Sequence, residues 1–111
     1  MFKNLFSQSP SPAELDLETF AKAVQAGEAA VVDVREAHEY AAGHIPGSVN
    51  LPLSRFEPRE LPNGKPVVLI CQAGGRSRKA LDQSHAAGRE DVKHYPGGMS
   101  QWRMQGGDVT V

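Results

Sequence analysis

Two short runs of apolar, mostly β-branched residues, 29–34 (AAVVDV) and 66–70 (PVVLI), constrain this chain more than any other feature. Neither run alternates apolar with polar residues, so each suits a strand covered on both faces. Each leads to a helix-forming stretch: residues 35–42 (REAHEYAA), ending at Gly43, and residues 76–87, with Gly88 as the cap. A first helix is expected from about Ser11 or Pro12, carrying Leu15, Phe20 and Val24 and stopping at Gly27. A last short strand is expected at residues 92–95, and a final helical stretch at residues 99–104 after the Pro96-Gly97-Gly98 turn. Strands that alternate with helices indicate an α/β fold, with a central, mainly parallel β-sheet flanked by helices on both faces.

The length of 111 residues suits one domain, and 40% hydrophobic residues suffice for one core. Residues 1–12, rich in serine with Pro10 and Pro12, read as an N-terminal tail, which leaves residues 13–111 as the single domain. Phe2, Leu5 and Phe6 in that tail are candidates to pack back onto the domain or to meet a partner protein. Twelve basic residues stand against 13 acidic ones, a net charge of −1, which gives no electrostatic reason to expect nucleic acid or an anionic membrane. No apolar run approaches the roughly 20 residues of a membrane span. The polar residues Asn4, Ser7, Gln8 and Ser9 break up any secretory signal, so a cytoplasmic location is the expectation. The single cysteine, Cys71, cannot form an internal disulfide and fits a reducing compartment.

Cys71 stands directly after the second apolar run, where the carboxyl end of a strand opens into a loop: Cys71-Gln72-Ala73-Gly74-Gly75-Arg76-Ser77-Arg78. Ligands of α/β sheets bind at this end. The N–H groups of the loop and of the following helix start favour negative charge, and Arg76 and Arg78 add cationic side chains. Gly74 and Gly75 permit the tight curl that such a nest requires. All of these effects stabilise thiolate over thiol and make Cys71 a nucleophile. A cysteine that merely filled a core would need none of this polar, arginine-flanked surrounding.

Four segments in order carry a resemblance. They are residues 32–36 (VDVRE) with Glu39 and Tyr40; residues 43–52 (GHIPGSVNLP); the Cys71 loop; and residues 95–98 (YPGG) followed by Trp102. Together they resemble the rhodanese-like family and span residues 30–102. The resemblance implies a six-residue active loop, residues 71–76, and a persulfide carried on Cys71. It implies a sulfurtransferase that takes sulfane sulfur from thiosulfate or a persulfide and passes it to cyanide or a thiol, with a protein sulfur acceptor as a further option. No cofactor is implied. In this reading the N–H groups of Gln72, Ala73, Gly74, Gly75, Arg76 and Ser77 hold the sulfur, and Arg76 holds an anionic donor. Ser77 either bonds the sulfur or caps the helix. Arg35 either assists anion binding or forms a structural ion pair with Asp33 or Glu39.

Two alternatives stand beside this reading. A related fold supports cysteine-based phosphatases, but those use a wider Cys-x5-Arg loop, whereas Arg76 follows Cys71 after four residues. A non-catalytic interaction module is the other, and such family members commonly lack the cysteine. Gln72 stands where some thiosulfate-using members carry a basic residue, which leaves small persulfides open as donors. His44 is expected to fix its turn, and Tyr95 and Trp102 to pack in the core or at a pocket edge. His38, His85 and His94 lack the ligand spacing of a zinc site. No function is assigned to residues 106–111.

Overall fold

The computed structural model describes residues 13–111, so the expected tail and its Phe2, Leu5 and Phe6 lie outside the described residues. Four strands form one parallel sheet: β1 (Ala30–Asp33), β2 (Val49–Asn50), β3 (Val67–Ile70) and β4 (Lys93–His94), in the order β2-β1-β3-β4. Between and around them run helices α1 (Leu17–Gln25), α2 (Ala37–Ala41), α3 (Gly75–Ala86) and α4 (Gly98–Met104). The two apolar runs become β1 and β3, which lie side by side with Asp33 opposite Ile70. Beyond the last pair, Val34 N–H donates to the Ile70 carbonyl at 2.9 Å, so the two strands end together. The segment after β1 is thereby set beside Cys71.

Successive strand residues point to opposite faces of a sheet. Val32, Val34, Val67, Leu69 and Cys71 therefore pack on one side, with Ala80 and Leu81 of α3 and with Phe56 and Leu61. Val31, Val68 and Ile70 pack on the other, with Phe20 of α1 and Met99 and Trp102 of α4. Both long helices turn one stripe inward: Leu17, Phe20, Ala21 and Val24 in α1, and Ser77, Ala80, Leu81 and Ser84 in α3. Tyr95 and Trp102 belong to the core. Phe20 stacks on Tyr95 at 4.3 Å between ring centroids and meets Trp102 edge-on at 5.4 Å.

The first helix begins later than the sequence suggests, at Leu17 rather than near Ser11 or Pro12. The Asp16 carboxylate accepts the Thr19 N–H at 2.9 Å and caps the helix. Just before it, the chain is occupied at the sheet edge. His94 N–H donates to the Ala13 carbonyl at 2.8 Å, and Leu15 N–H to the His94 carbonyl at 3.0 Å. Backbone groups committed to a strand cannot also make helical bonds.

The C-terminal residues are tied down as well. Thr110 and His44 exchange two backbone hydrogen bonds of 2.8 Å, and Trp102 Nε1 donates to the Asp108 carbonyl at 2.8 Å. The His44 ring stacks on Tyr40 at 3.8 Å, with Nδ1 at 2.8 Å from the Tyr40 carbonyl, which fixes the turn. Among the described residues, no helix is long and apolar enough to cross a membrane.

Candidate active site

Cys71 ends β3, and its loop turns at once into α3. Gly74 is the residue before the helix and has a φ of 98°. A Cβ there would lie 2.6 Å from the Pro96 carbonyl oxygen, so both its conformation and its surroundings call for glycine. Gly75 differs. It is the first residue of α3, is absent from the left-handed glycines, and a Cβ on it would meet nothing within 4 Å. The curl therefore rests on one glycine of the pair. From below, α4 holds the loop in place: Met99 N–H donates to the Cys71 carbonyl at 2.9 Å and Ser100 N–H to the Gln72 carbonyl at 3.0 Å. The Gln72 side chain adds a bond to Ser100 Oγ at 3.0 Å.

The curl brings amides onto the sulfur. Gly74 N–H donates to Cys71 Sγ at 3.1 Å and Ser77 N–H at 3.2 Å. Ser77 Oγ lies 3.6 Å from Sγ. Cys71 is only 1% exposed, and burial pushes its thiol pKa up. The Ser77 N–H and hydroxyl, with the N–H groups of Gly74 and Ala73, outweigh that and hold it below the ordinary thiol value. A thiolate in this position is a recessed nucleophile with fixed donors around it.

Arg76 stands at the mouth of the loop, one-third exposed, with its guanidinium on the Glu39 carboxylate. The contact is bidentate, at 2.7 Å from Nη1 to Oε1 and 3.1 Å from Nη2 to Oε2. That hydrogen-bonded arginine pulls the Glu39 pKa down to about 2. Arg35 is held elsewhere. It is 3% exposed, and its Nε and Nη2 donate to Asp33 at 2.7–3.1 Å while Nη2 also donates to the Gly43 carbonyl at 2.8 Å. These contacts favour its structural ion pair over an anion-binding use. Arg78, the other loop arginine, is 3.7 Å from Glu14 and 3.4 Å from Asp82 on the surface of α3.

The comparisons with known proteins agree with this geometry. The model of the rhodanese-like domain family matches residues 16–105. This chain belongs to the rhodanese-like family. A thiosulfate sulfurtransferase, GlpE of Pseudomonas savastanoi, is 33% identical over 93 residues, 82% of this chain and 88% of that protein. A putative sulfur carrier protein, YrkF of Bacillus subtilis, is 37% identical over 92 residues, 80% of this chain and 50% of that one. The human single-domain sulfurtransferase TSTD1 superposes with a TM-score of 0.72 at 27% identity, covering 84% of this chain and 96% of that structure. Proteins named as sulfurtransferases, and one named as a putative sulfur carrier, thus stand among the relatives of this rhodanese-like chain. It spans 38% to 60% of the length of several other curated relatives.

Two residues at the rhodanese-like loop escape a reading of the sequence. Glu39 is 37 residues from the arginine it binds, and no local spacing joins them. His94 lies 2.8 Å from Ser77 Oγ through its Nδ1. Strand parity is the signal that finds it: Val92 and His94 share a face, and Val92 packs under α3.

Proposed function

We propose that the protein is a sulfurtransferase that carries sulfane sulfur on Cys71. The observation that carries this reading is the pair of amide hydrogens on Cys71 Sγ, at 3.1 and 3.2 Å, in a loop with four residues between Cys71 and Arg76, one fewer than the Cys-x5-Arg loop of the related phosphatases. Cys71 thiolate attacks the outer sulfur of the donor. A new S–S bond forms to Cys71, the donor's own bond to that sulfur breaks, and the donor leaves with the electron pair, as sulfite from thiosulfate or as a thiolate from a persulfide. The loop N–H groups from Gln72 to Ser77 hold the terminal sulfur anion. A nucleophilic acceptor, cyanide or a thiolate, then attacks that terminal sulfur and releases Cys71 thiolate. The donor's product leaves before the acceptor attacks, and the enzyme alternates between free and persulfidated Cys71, so ping-pong kinetics are expected.

Arg76 is the candidate for holding an anionic donor. Its guanidinium already serves Glu39, so a thiosulfate must share it. That sharing, with the uncharged Gln72 beside it, supports small persulfides as donors alongside thiosulfate. A protein thiol as acceptor is the same chemistry with a larger partner. Intact mass after incubation with thiosulfate or glutathione persulfide tests the reading. A gain of one sulfur, reversed by cyanide and missing in Cys71→Ser, is expected; no adduct with either donor overturns it.

A further inference from the structure

His94 is buried in the interior beside the nucleophile, yet the sulfur-transfer steps above make no use of it. It is 2% exposed, and among the described residues its Nε2 has no hydrogen-bond partner. Its nearest acid is Glu14, whose Oε2 lies 3.6 Å from Nε2, just beyond hydrogen-bond reach. On its other side, Nδ1 lies 2.8 Å from Ser77 Oγ, and Ser77 Oγ lies 3.6 Å from Cys71 Sγ. The Ser77 hydroxyl has one proton and three acceptors around it: His94 Nδ1, the Gly74 carbonyl at 3.2 Å, and the sulfur once ionised. Of the two oxygen and nitrogen acceptors, the imidazole is closer.

We propose that His94 is a positioning residue that sets the protonation of Cys71 through the Ser77 hydroxyl, with Glu14 facing its far nitrogen. The proposal rests on the sulfurtransferase reading only for its purpose; the proton transfer itself needs just the thiol. In the resting thiol, Cys71 donates to Ser77 Oγ and Ser77 donates to Nδ1, while Nε2 carries the ring proton toward Glu14. On ionisation the Cys71 S–H bond breaks and its proton goes to Ser77 Oγ. The hydroxyl proton passes to Nδ1, and the electron pair stays on sulfur among the Gly74 and Ser77 N–H groups. Every donor then reverses: Nδ1–H points at Ser77 Oγ, and the hydroxyl points at the thiolate. No proton leaves the site, and the imidazolium formed lies against the Glu14 carboxylate.

The surroundings of His94 pull in both directions. Burial lowers its pKa most, Glu14 raises it, Arg78 lowers it and Asp82 raises it. The net fall keeps the ring neutral beside the resting thiol, and the Glu14 carboxylate is the main group that favours the imidazolium. The one cation among these, Arg78, is partly neutralised by contacts to Glu14 at 3.7 Å and Asp82 at 3.4 Å. Glu14 reaches this place only because residues 13–15 join the sheet edge beside β4.

The pH dependence of Cys71 alkylation by iodoacetamide tests the proposal without any sulfur donor. His94→Asn retains a polar group near the Nδ1 position but cannot take up a proton. At a fixed pH below the thiol midpoint it is expected to be alkylated about tenfold more slowly than the wild type, one pH unit in the midpoint. Ser77→Ala should show at least that displacement, since it also removes the hydroxyl itself from the sulfur. A wild-type profile in a folded His94→Asn protein overturns the proposal. The unaltered protein supplies a second measurement, by 15N NMR of the His94 ring before and after S-methylation of Cys71. Methylation should lower the imidazole midpoint, and identical titrations would equally overturn the relay. Loss of the sulfur adduct with this coupling intact would instead sink the sulfurtransferase reading alone.

Discussion

Gly98 faces the Cys71 carbonyl so closely that a Cβ on it would lie 2.6 Å from that oxygen and 2.5 Å from the Gln72 carbonyl oxygen. With a φ of +62°, it is also left-handed. The first turn of α4 can approach the active loop only because this residue has no side chain. Gly98→Ala combines backbone strain with overlap against main-chain atoms, which cannot swing aside. It is expected to cost at least about 2 kcal/mol in urea unfolding and to raise the Cys71 pKa measured by alkylation. Gly75→Ala, with open space and a helical position, is the contrasting variant and should leave both unchanged.

Asp33 and Arg35 form an ion pair in the interior, with side chains 0% and 4% exposed. Removal of one partner leaves the other charged without compensation. Asp33→Ala is expected to destabilise the fold by about 3–5 kcal/mol. The double variant Asp33→Ala with Arg35→Met should recover part of that loss. Equilibrium unfolding of Asp33→Ala, Arg35→Met and the double variant checks the coupling, and additive losses would count against it.

Glu39 carries a pH signature. Its carboxyl titrates at about 2 in the folded chain against 4.5 ordinarily, because Arg76 binds the ionised form. A carboxyl depressed in this way stabilises the fold while it is ionised, so its contribution is whole above about 4.5 and disappears as the pH falls toward 2. The melting temperature of the wild type should therefore fall more steeply over that window than that of Glu39→Gln. Parallel curves would show that the pair contributes nothing to stability, as many exposed pairs do.

Arg76 is predicted to matter more for an anionic donor than for the fold. Arg76→Ala should raise the KM for thiosulfate roughly tenfold or more, the weight of a charge-assisted hydrogen bond. Glu39→Gln should change it in the opposite sense, since it leaves the guanidinium without a competing carboxylate. A loss of activity in Arg76→Ala that tracks its unfolding would remove the binding role.

The outline of this molecule is legible from its sequence because it depends on local pattern. Continuous apolar runs mark β1 and β3, and the Cys71 loop announces itself by its glycines and arginines. The α3 stripe of Ser77, Ala80, Leu81 and Ser84 follows helical spacing. What escapes is set by contacts between distant residues. Glu14 reads as part of a helix and is found on a sheet edge, because the backbone of residues 13–15 pairs with β4 and the helix starts only after the Asp16 cap. Residues 106–111 carry no motif, yet Thr110 closes on His44. The partnership of Arg76 with Glu39 and of Ser77 with His94 depends on how β1 and β4 flank β3, which no window of sequence contains.

The alternation along β3 has a consequence for how this scaffold can change. Val67, Leu69 and Cys71 share a side, while Val68 and Ile70 take the other. Adding or deleting one residue within that strand would swing the thiol through the sheet, toward Phe20 and Met99 and away from the helix that supplies its amides. Length changes that preserve chemistry are thus confined to the connecting segments, or to steps of two within the strand.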